Sequence, residues 1–406
     1  MDSDFIDSLI THYAPPAIAT KNDEEMQFWK SRIDPHLPGY LNESRYAGCL
    51  AFRFRFFGDI ADLKKADSVL QKVNRDFNFK EASANIALAA HCVTEHRFMQ
   101  ADSFLQKAKQ IGLRPYESNT TSFDIDFELG KYTNAQAELN AINNPNDYGF
   151  YFRKSKMEHL NGQLDSSIKS MLRAADLAGE NKFLKGVALA NAADLYIHNT
   201  DLQSANDLYI QCIRMNGGDF HSMMGLGWIA LVHDNNDSLA EKIFHFVESK
   251  NKLPDALFKL TEMAETLPDS TIQIKYAEAF EKTAIDSSYG RMYNKYLLQL
   301  YTGILQKPER AEIIAKDELN NRATPQTYAW YAWALCNNNK KEEAYKIFEE
   351  HVSGKPLEGL ELYWMGMMMD SLNKKYDALA FFKAAFKNKY DLDPITVKSI
   401  EKRLAE

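Results

Sequence analysis

Apolar residues recur along this chain in a helical rhythm, and the rhythmic units themselves recur. Within residues 328–387, Ala344, Phe348 and His351 are answered 34 residues later by Ala378, Phe382 and Ala385. Small Ala332 and Gly366 stand twelve residues before each alanine, inside another apolar helical stretch. The same i, i+4, i+7 triplet appears upstream as Ala66, Leu70, Val73, then Ala101, Leu105, Ala108, then Ala135, Leu139, Ile142. It continues as Ser167, Met171, Ala174, then Ala205, Tyr209, Cys212, then Ala240, Phe244, Val247. The first members of these six lie 35, 34, 32, 38 and 35 residues apart. The short spacing predicts one buried face on each helix. The long period predicts equivalent helix pairs stacked in an array. A small residue on the first helix lets the second approach closely, and the aromatic on the second fills the space against the next pair.

Turn chemistry falls between the predicted helices. Gly58-Asp59, Gly130-Lys131 and Asn161-Gly162 supply the left-handed residue that stops a helix. Asn143-Asn144-Pro145, Asn235-Asn236-Asp237 and Asn337-Asn338-Asn339 serve the same end. The pattern weakens over residues 254–322, where Ile272 and Tyr276 occupy the alanine and aromatic slots and Glu318 takes an apolar one after Ala311 and Ala315. Counting through this stretch predicts about ten degenerate helix-turn-helix repeats over residues 41–390, an all-α superhelix. Residues 1–40 read as N-terminal capping helices, over 2–12 and 23–33, separated by Pro15-Pro16, which lack the N–H that a continuing helix requires. Residues 391–406 read as a C-terminal cap, with a helix over 394–404.

The period and the small-residue and aromatic positions are those of tetratricopeptide repeats. Residues 41–390 resemble bacterial multi-repeat tetratricopeptide proteins of a mostly uncharacterised family. FRKSKMEHLNGQLDSSI (152–168), ANAADLYIHNTDLQSA (190–205), YAWYAWAL (328–335) and LYWMGMMMDSLNKKYDALAFFKAAF (362–386) carry the likeness. Residues 58–62 read as an insertion that lengthens the first inter-helix turn by three residues. Phe123 and Ala193 depart from the pattern, standing where such proteins commonly carry glycine. The resemblance implies a protein-binding scaffold with no assigned reaction. It also implies, from the many exported and lipoprotein members, the periplasm or cell envelope, with the cytoplasm as the alternative that four scattered cysteines favour.

Composition narrows the function classes. At 406 residues a compact chain would divide into domains, whereas a repeat array grows lengthwise around one core. A net charge of −8, with no Lys/Arg stripe, argues against nucleic acid. No apolar run approaches the ~18 residues of a transmembrane segment. MDSDFIDSLITHYAPP lacks the basic and apolar regions of a signal peptide, although a chain following a removed signal, with peripheral or lipid-anchored association of its precursor, would read the same. Cys49, Cys92, Cys212 and Cys336 form no CxxC pair and read as buried small hydrophobes.

The sequence offers no catalytic, cofactor or metal constellation. In HCVTEH, His91 and His96 are five residues apart, so a helix points them roughly 140° away from each other. His233-Asp234 reads as a turn, and His245 with Glu248 as a surface i, i+3 pair. Binding of a protein or peptide is the better reading, because stacked hairpins line a concave groove with their first helices. The repeat phase assigns Phe152, Lys156 and His159 to that face, then Asp194 and His198, Trp333 and Asn337, and Tyr363 and Met367. The competing reading for each is a contact between neighbouring pairs. Two alternatives to a plain scaffold are a peptide-responsive regulator and an accessory subunit of an envelope enzyme complex.

Overall fold

The computed structural model describes residues 3–405. The expected helix start at Asp2 and the final residue of the C-terminal cap lie outside the described residues. Among the described residues there are 23 α-helices and no strand. Two precede the array, α1 (Ser3–Thr11) and α2 (Ala17–Lys30). Ten antiparallel hairpins follow. They are α3 (Tyr40–Phe57) with α4 (Ile60–Asp76), α5 (Ala82–Thr94) with α6 (Phe98–Ile111), and α7 (Pro115–Glu128) with α8 (Tyr132–Ile142). Next come α9 (Tyr148–Leu160) with α10 (Leu164–Leu177), α11 (Lys182–His198) with α12 (Leu202–Met215), and α13 (Phe220–Val232) with α14 (Asp237–Lys250). The last four are α15 (Asp255–Ala264) with α16 (Ser270–Ala284), α17 (Asn294–Thr302) with α18 (Pro308–Asn321), α19 (Pro325–Asn337) with α20 (Lys341–Ile347), and α21 (Gly359–Ser371) with α22 (Lys375–Lys387). Helix α23 (Pro394–Ala405) lies on α22. The fold is therefore an all-α superhelix of ten tetratricopeptide-type hairpins.

Local chemistry sets the ends of these helices. Asp147, Asn181, Asp201, Asp219 and Asn236 each cap a helix by accepting a backbone N–H with the side-chain oxygen. Gly58, Gly130 and Gly162 take φ of +65°, +74° and +72° where a helix stops. The first turn is not lengthened: Gly58 closes α3 and Asp59 caps α4, which starts at Ile60, so residues 58–62 contain no insertion. Helix α2 begins directly after Pro16, six residues before the expected start, because proline is suited to a helix entry even though it interrupts a helix interior.

The small-residue and aromatic pairing packs the hairpins. A β-carbon added to Gly366 would sit 2.6 Å from Phe382, and one on Gly227 would sit 2.5 Å from Phe244. Real β-carbons do not approach so closely, so glycine is required for these helices to meet. Two expected registers are corrected. On α16 the buried apolar positions are Ala277, Phe280 and Ala284, while Ile272 is exposed. Ala277 stands 37 residues after Ala240 and 34 before Ala311, which restores the repeat. After α20 the backbone widens into a π-turn over Phe348–Val352, and the extra residue moves the buried third position from His351 to Val352. Phe123 and Ala193 are fully buried in the stack.

The N-terminal stretch divides. Helix α2 lies on α3, whereas α1 lies on α14, with Ile6 buried in the cluster around Tyr209 and Phe244. Asp7 pairs with Lys242 at 2.5 Å.

Successive turns of the superhelix touch. Lys252 donates its backbone N–H to Phe57 O at 2.8 Å, and Arg291 donates to Glu95 O at 2.9 Å. Asn321 accepts the Phe98 N–H at 2.9 Å and donates to His96 O at 2.7 Å. Arg322 reaches Glu128 at 3.5 Å, and His198 reaches Asp391 at 2.7 Å. Sequence separations of 193 to 195 residues recur among these bridging contacts. With about 34 residues per repeat, one superhelical turn takes between five and six hairpins. The first helices thereby enclose a lumen.

Candidate functional site

Two adjoining cavities occupy this lumen, with volumes of about 850 Å³ and about 830 Å³. They share His198, Lys295, Tyr296, Glu358, Gly359 and Asp391 as lining. These residues come from α11, α17, the start of α21 and the segment before α23, which converge only because the superhelix closes on itself.

The first cavity is paved with paired charges. Lys295 Nζ lies 2.8 Å from Glu361, whose carboxylate also accepts the Trp330 indole N–H at 2.7 Å. Burial works against the charge on Lys295, but the Glu361 and Glu358 carboxylates outweigh it and raise its pKa. His159 stacks on His198 with ring centres 5.1 Å apart. Burial, then the neighbouring His198, lowers the pKa of His159. Burial also opposes protonation of His198, but its bond to Asp391 prevails and raises its pKa. The two stacked rings are thus biased toward opposite protonation states. Desolvation, then the charge of Arg322, holds half-buried His96 down to about 4.

The second cavity mixes aromatic and charged lining. Phe183, Phe220, Trp228 and Tyr296 present rings to it. Asp194 accepts from the Tyr209 hydroxyl at 2.5 Å and lies 3.0 Å from His221 Nε2. The Asp194 charge, against burial and with help from Asp219, pushes His221 up to about 9. Lys259 pairs with Glu262 at 2.7 Å and rests 3.6 Å above the Trp228 ring centre. His221 is more than half exposed, so this constellation is open to water within the lumen.

The residues assigned to the groove from the sequence separate into two groups. His159, Asp194 and His198 line the cavities. Lys156 stands behind them, bound to the lining Glu128 at 3.3 Å. Phe152 stacks on Tyr148 and packs with the cluster around Ile168. Trp333 donates to Thr302 Oγ1 at 3.0 Å and stacks on Trp364, spanning three consecutive hairpins. Asn337 donates to Trp333 O at 2.8 Å. Tyr363 reaches Ser399 at 3.0 Å and Met367 packs in the C-terminal core. None of these last five lines either cavity.

Sequence reasoning missed Asp219, His221, Asp255, Lys295 and Tyr296. The last three fall in residues 254–322, where the pattern weakens. Tyr296 stands 15 residues before Ala311, the offset of Phe152 before Ser167 and of Tyr363 before Ala378, so the repeat phase carries a signal for it. Of the two histidines in HCVTEH, His91 bonds Asp67 at 2.7 Å, while His96 lies past the end of α5 and stacks on Phe98. All four cysteines are buried with free thiols. No described helix is long and apolar enough to cross a membrane.

No protein-family model matches the chain, and no curated protein matches it. Solved structures that it matches include a tetratricopeptide repeat protein from Parabacteroides merdae ATCC 43184, at 17% identity and a TM-score of 0.33, covering 72% of this chain and 99% of that one. Another is the human IFIT1 dimer with m7Gppp-AAAA, at 13% identity and a TM-score of 0.49, covering 81% and 76%. A third is Pseudomonas aeruginosa pilF, at 10% identity and a TM-score of 0.38, covering 53% and 97%. The fold assignment rests on this chain's own helix order and contacts.

Proposed function

We propose that this chain is a non-enzymatic scaffold that holds an extended segment of a partner protein in the lumen of its superhelix. One observation carries the reading. The first helices of the hairpins converge on adjoining cavities where aromatic faces alternate with charged groups open to water. Aromatic anchors beside placed polar groups supply most of the energy when a protein segment is desolvated on binding. The lining charges are largely committed to one another, as expected of a surface that positions a ligand without proton transfer to it.

The test is affinity capture of the tagged chain from its native organism, run in parallel with Asn191→Trp, which fills the second cavity. A protein retained by the wild-type chain and lost with the variant is expected. Identical captured sets from both would contradict the reading, as would substrate turnover by the chain alone.

A further inference from the structure

The second cavity contains charges that its own walls leave unbalanced. Most ionised groups there have a counter-charge within reach: Asp194 has His221, Glu262 has Lys259, Asp391 has His198, and Lys295 has Glu361. Asp219 and Asp255 form no ion pair among the described residues. Asp219 accepts the Ser222 N–H at 3.0 Å and Asp255 accepts the Tyr293 hydroxyl at 2.8 Å, both neutral donors. Burial lifts the pKa of each carboxyl against the charge of His221, which Asp194 already holds, and, for Asp255, against that of Lys259, which Glu262 already holds.

Two cations in the same lining are also unanswered. Arg55, at the end of α3, and Lys182, at the start of α11, form no ion pair among the described residues, and both are exposed to the lumen. The Arg55 guanidinium carbon lies 6.0 Å from the Phe183 ring centre. Unpaired charges of both signs in one aromatic-lined chamber make its field dipolar. A ligand of one sign would satisfy one pair and be repelled by the other.

We infer that this chamber takes a zwitterionic peptide segment, with a lysine or arginine side chain seated at Asp219 and Asp255 and a nearby carboxylate seated at Arg55 and Lys182. The inference rests on the scaffold reading and specifies its ligand class. An apolar residue between the two charges would lie against Phe220 and Trp228. The charge pattern gives the segment one direction of entry, because reversing it brings like charges together.

The probes are four dye-labelled nonapeptides with blocked termini on one Ala/Leu framework, carrying Lys and Glu, Lys and Gln, Gln and Glu, or Gln and Gln three positions apart. Binding is read by fluorescence anisotropy at low salt. The Lys/Glu peptide should bind tightest, and removal of either charge should weaken it about tenfold or more. Asp219→Asn with Asp255→Asn should weaken only the lysine-bearing peptides. Asparagine also caps helices, and matched circular-dichroism melts check that the fold is kept. Arg55→Gln with Lys182→Gln should weaken only the glutamate-bearing ones. Equal binding of all four peptides, with loss of all in Asn191→Trp, would overturn the charge inference and leave the scaffold reading standing. Binding by none of the four would overturn the inference alone, because differential capture from the native organism judges the scaffold independently.

Discussion

His221 is strongly perturbed, and its behaviour with pH follows from its neighbours. Asp194, Asp219 and Asp255 face it, with the Tyr209 hydroxyl engaged on Asp194. Its pKa rises from 6.5 to about 9 on folding, so its contribution to stability is whole below 6.5 and is lost as the pH rises through about 9. Imidazole resonances followed by NMR should therefore show His221 titrating near pH 9, and Asp194→Asn should bring that midpoint down toward the ordinary value. A midpoint near 6.5 in the wild-type protein would mean that the imidazole does not sit on Asp194. Little of this site was legible at the level of single residues. Asp194 and His198 followed from the repeat phase, but no local signal pairs Arg55 of the first hairpin with Lys182 of the fifth. Their proximity is a property of the closed superhelix, which no short stretch of sequence encodes.

Helices and hairpins were far more legible, because the contacts that define them are local. A glycine or alanine on the first helix and an aromatic on the second are the two halves of one packing decision, and both are visible in the period. The same logic predicts opposite outcomes for two glycine substitutions. Gly227→Ala puts a methyl group into Phe244 and should cost about 1–3 kcal/mol in urea unfolding, the usual range for overpacking. Gly48→Ala, on the exposed side of α3 with nothing within 4 Å, should instead add about 0.5–1 kcal/mol by favouring the helix. Equal effects would show that Gly227 does not set the helix spacing. The two misread registers have definite causes. On α16, Tyr276 imitates the aromatic of a repeat whose true aromatic is Phe280, and after α20 a π-turn adds a residue that periodic counting cannot anticipate.

At the scale of the whole molecule, the contacts between successive turns hold the lumen shut around its cavities. Asn321 is the clearest of these ties, since its buried amide serves both Phe98 N and His96 O. Asn321→Ala leaves two backbone groups without their partner and should cost about 1–3 kcal/mol, with a larger radius of gyration in small-angle scattering. An unchanged radius with unchanged stability would mean that this tie does not keep the turns together. The central claim is that a partner enters the lumen and does not ride on the outer surface. Site-specific photocrosslinking in the native cell tests it most directly, with the crosslinker placed either at Tyr296 in the lumen or at Tyr376, which is 87% exposed on α22. The account predicts a discrete protein adduct from position 296 and none from 376; an adduct from 376 with none from 296 would contradict it.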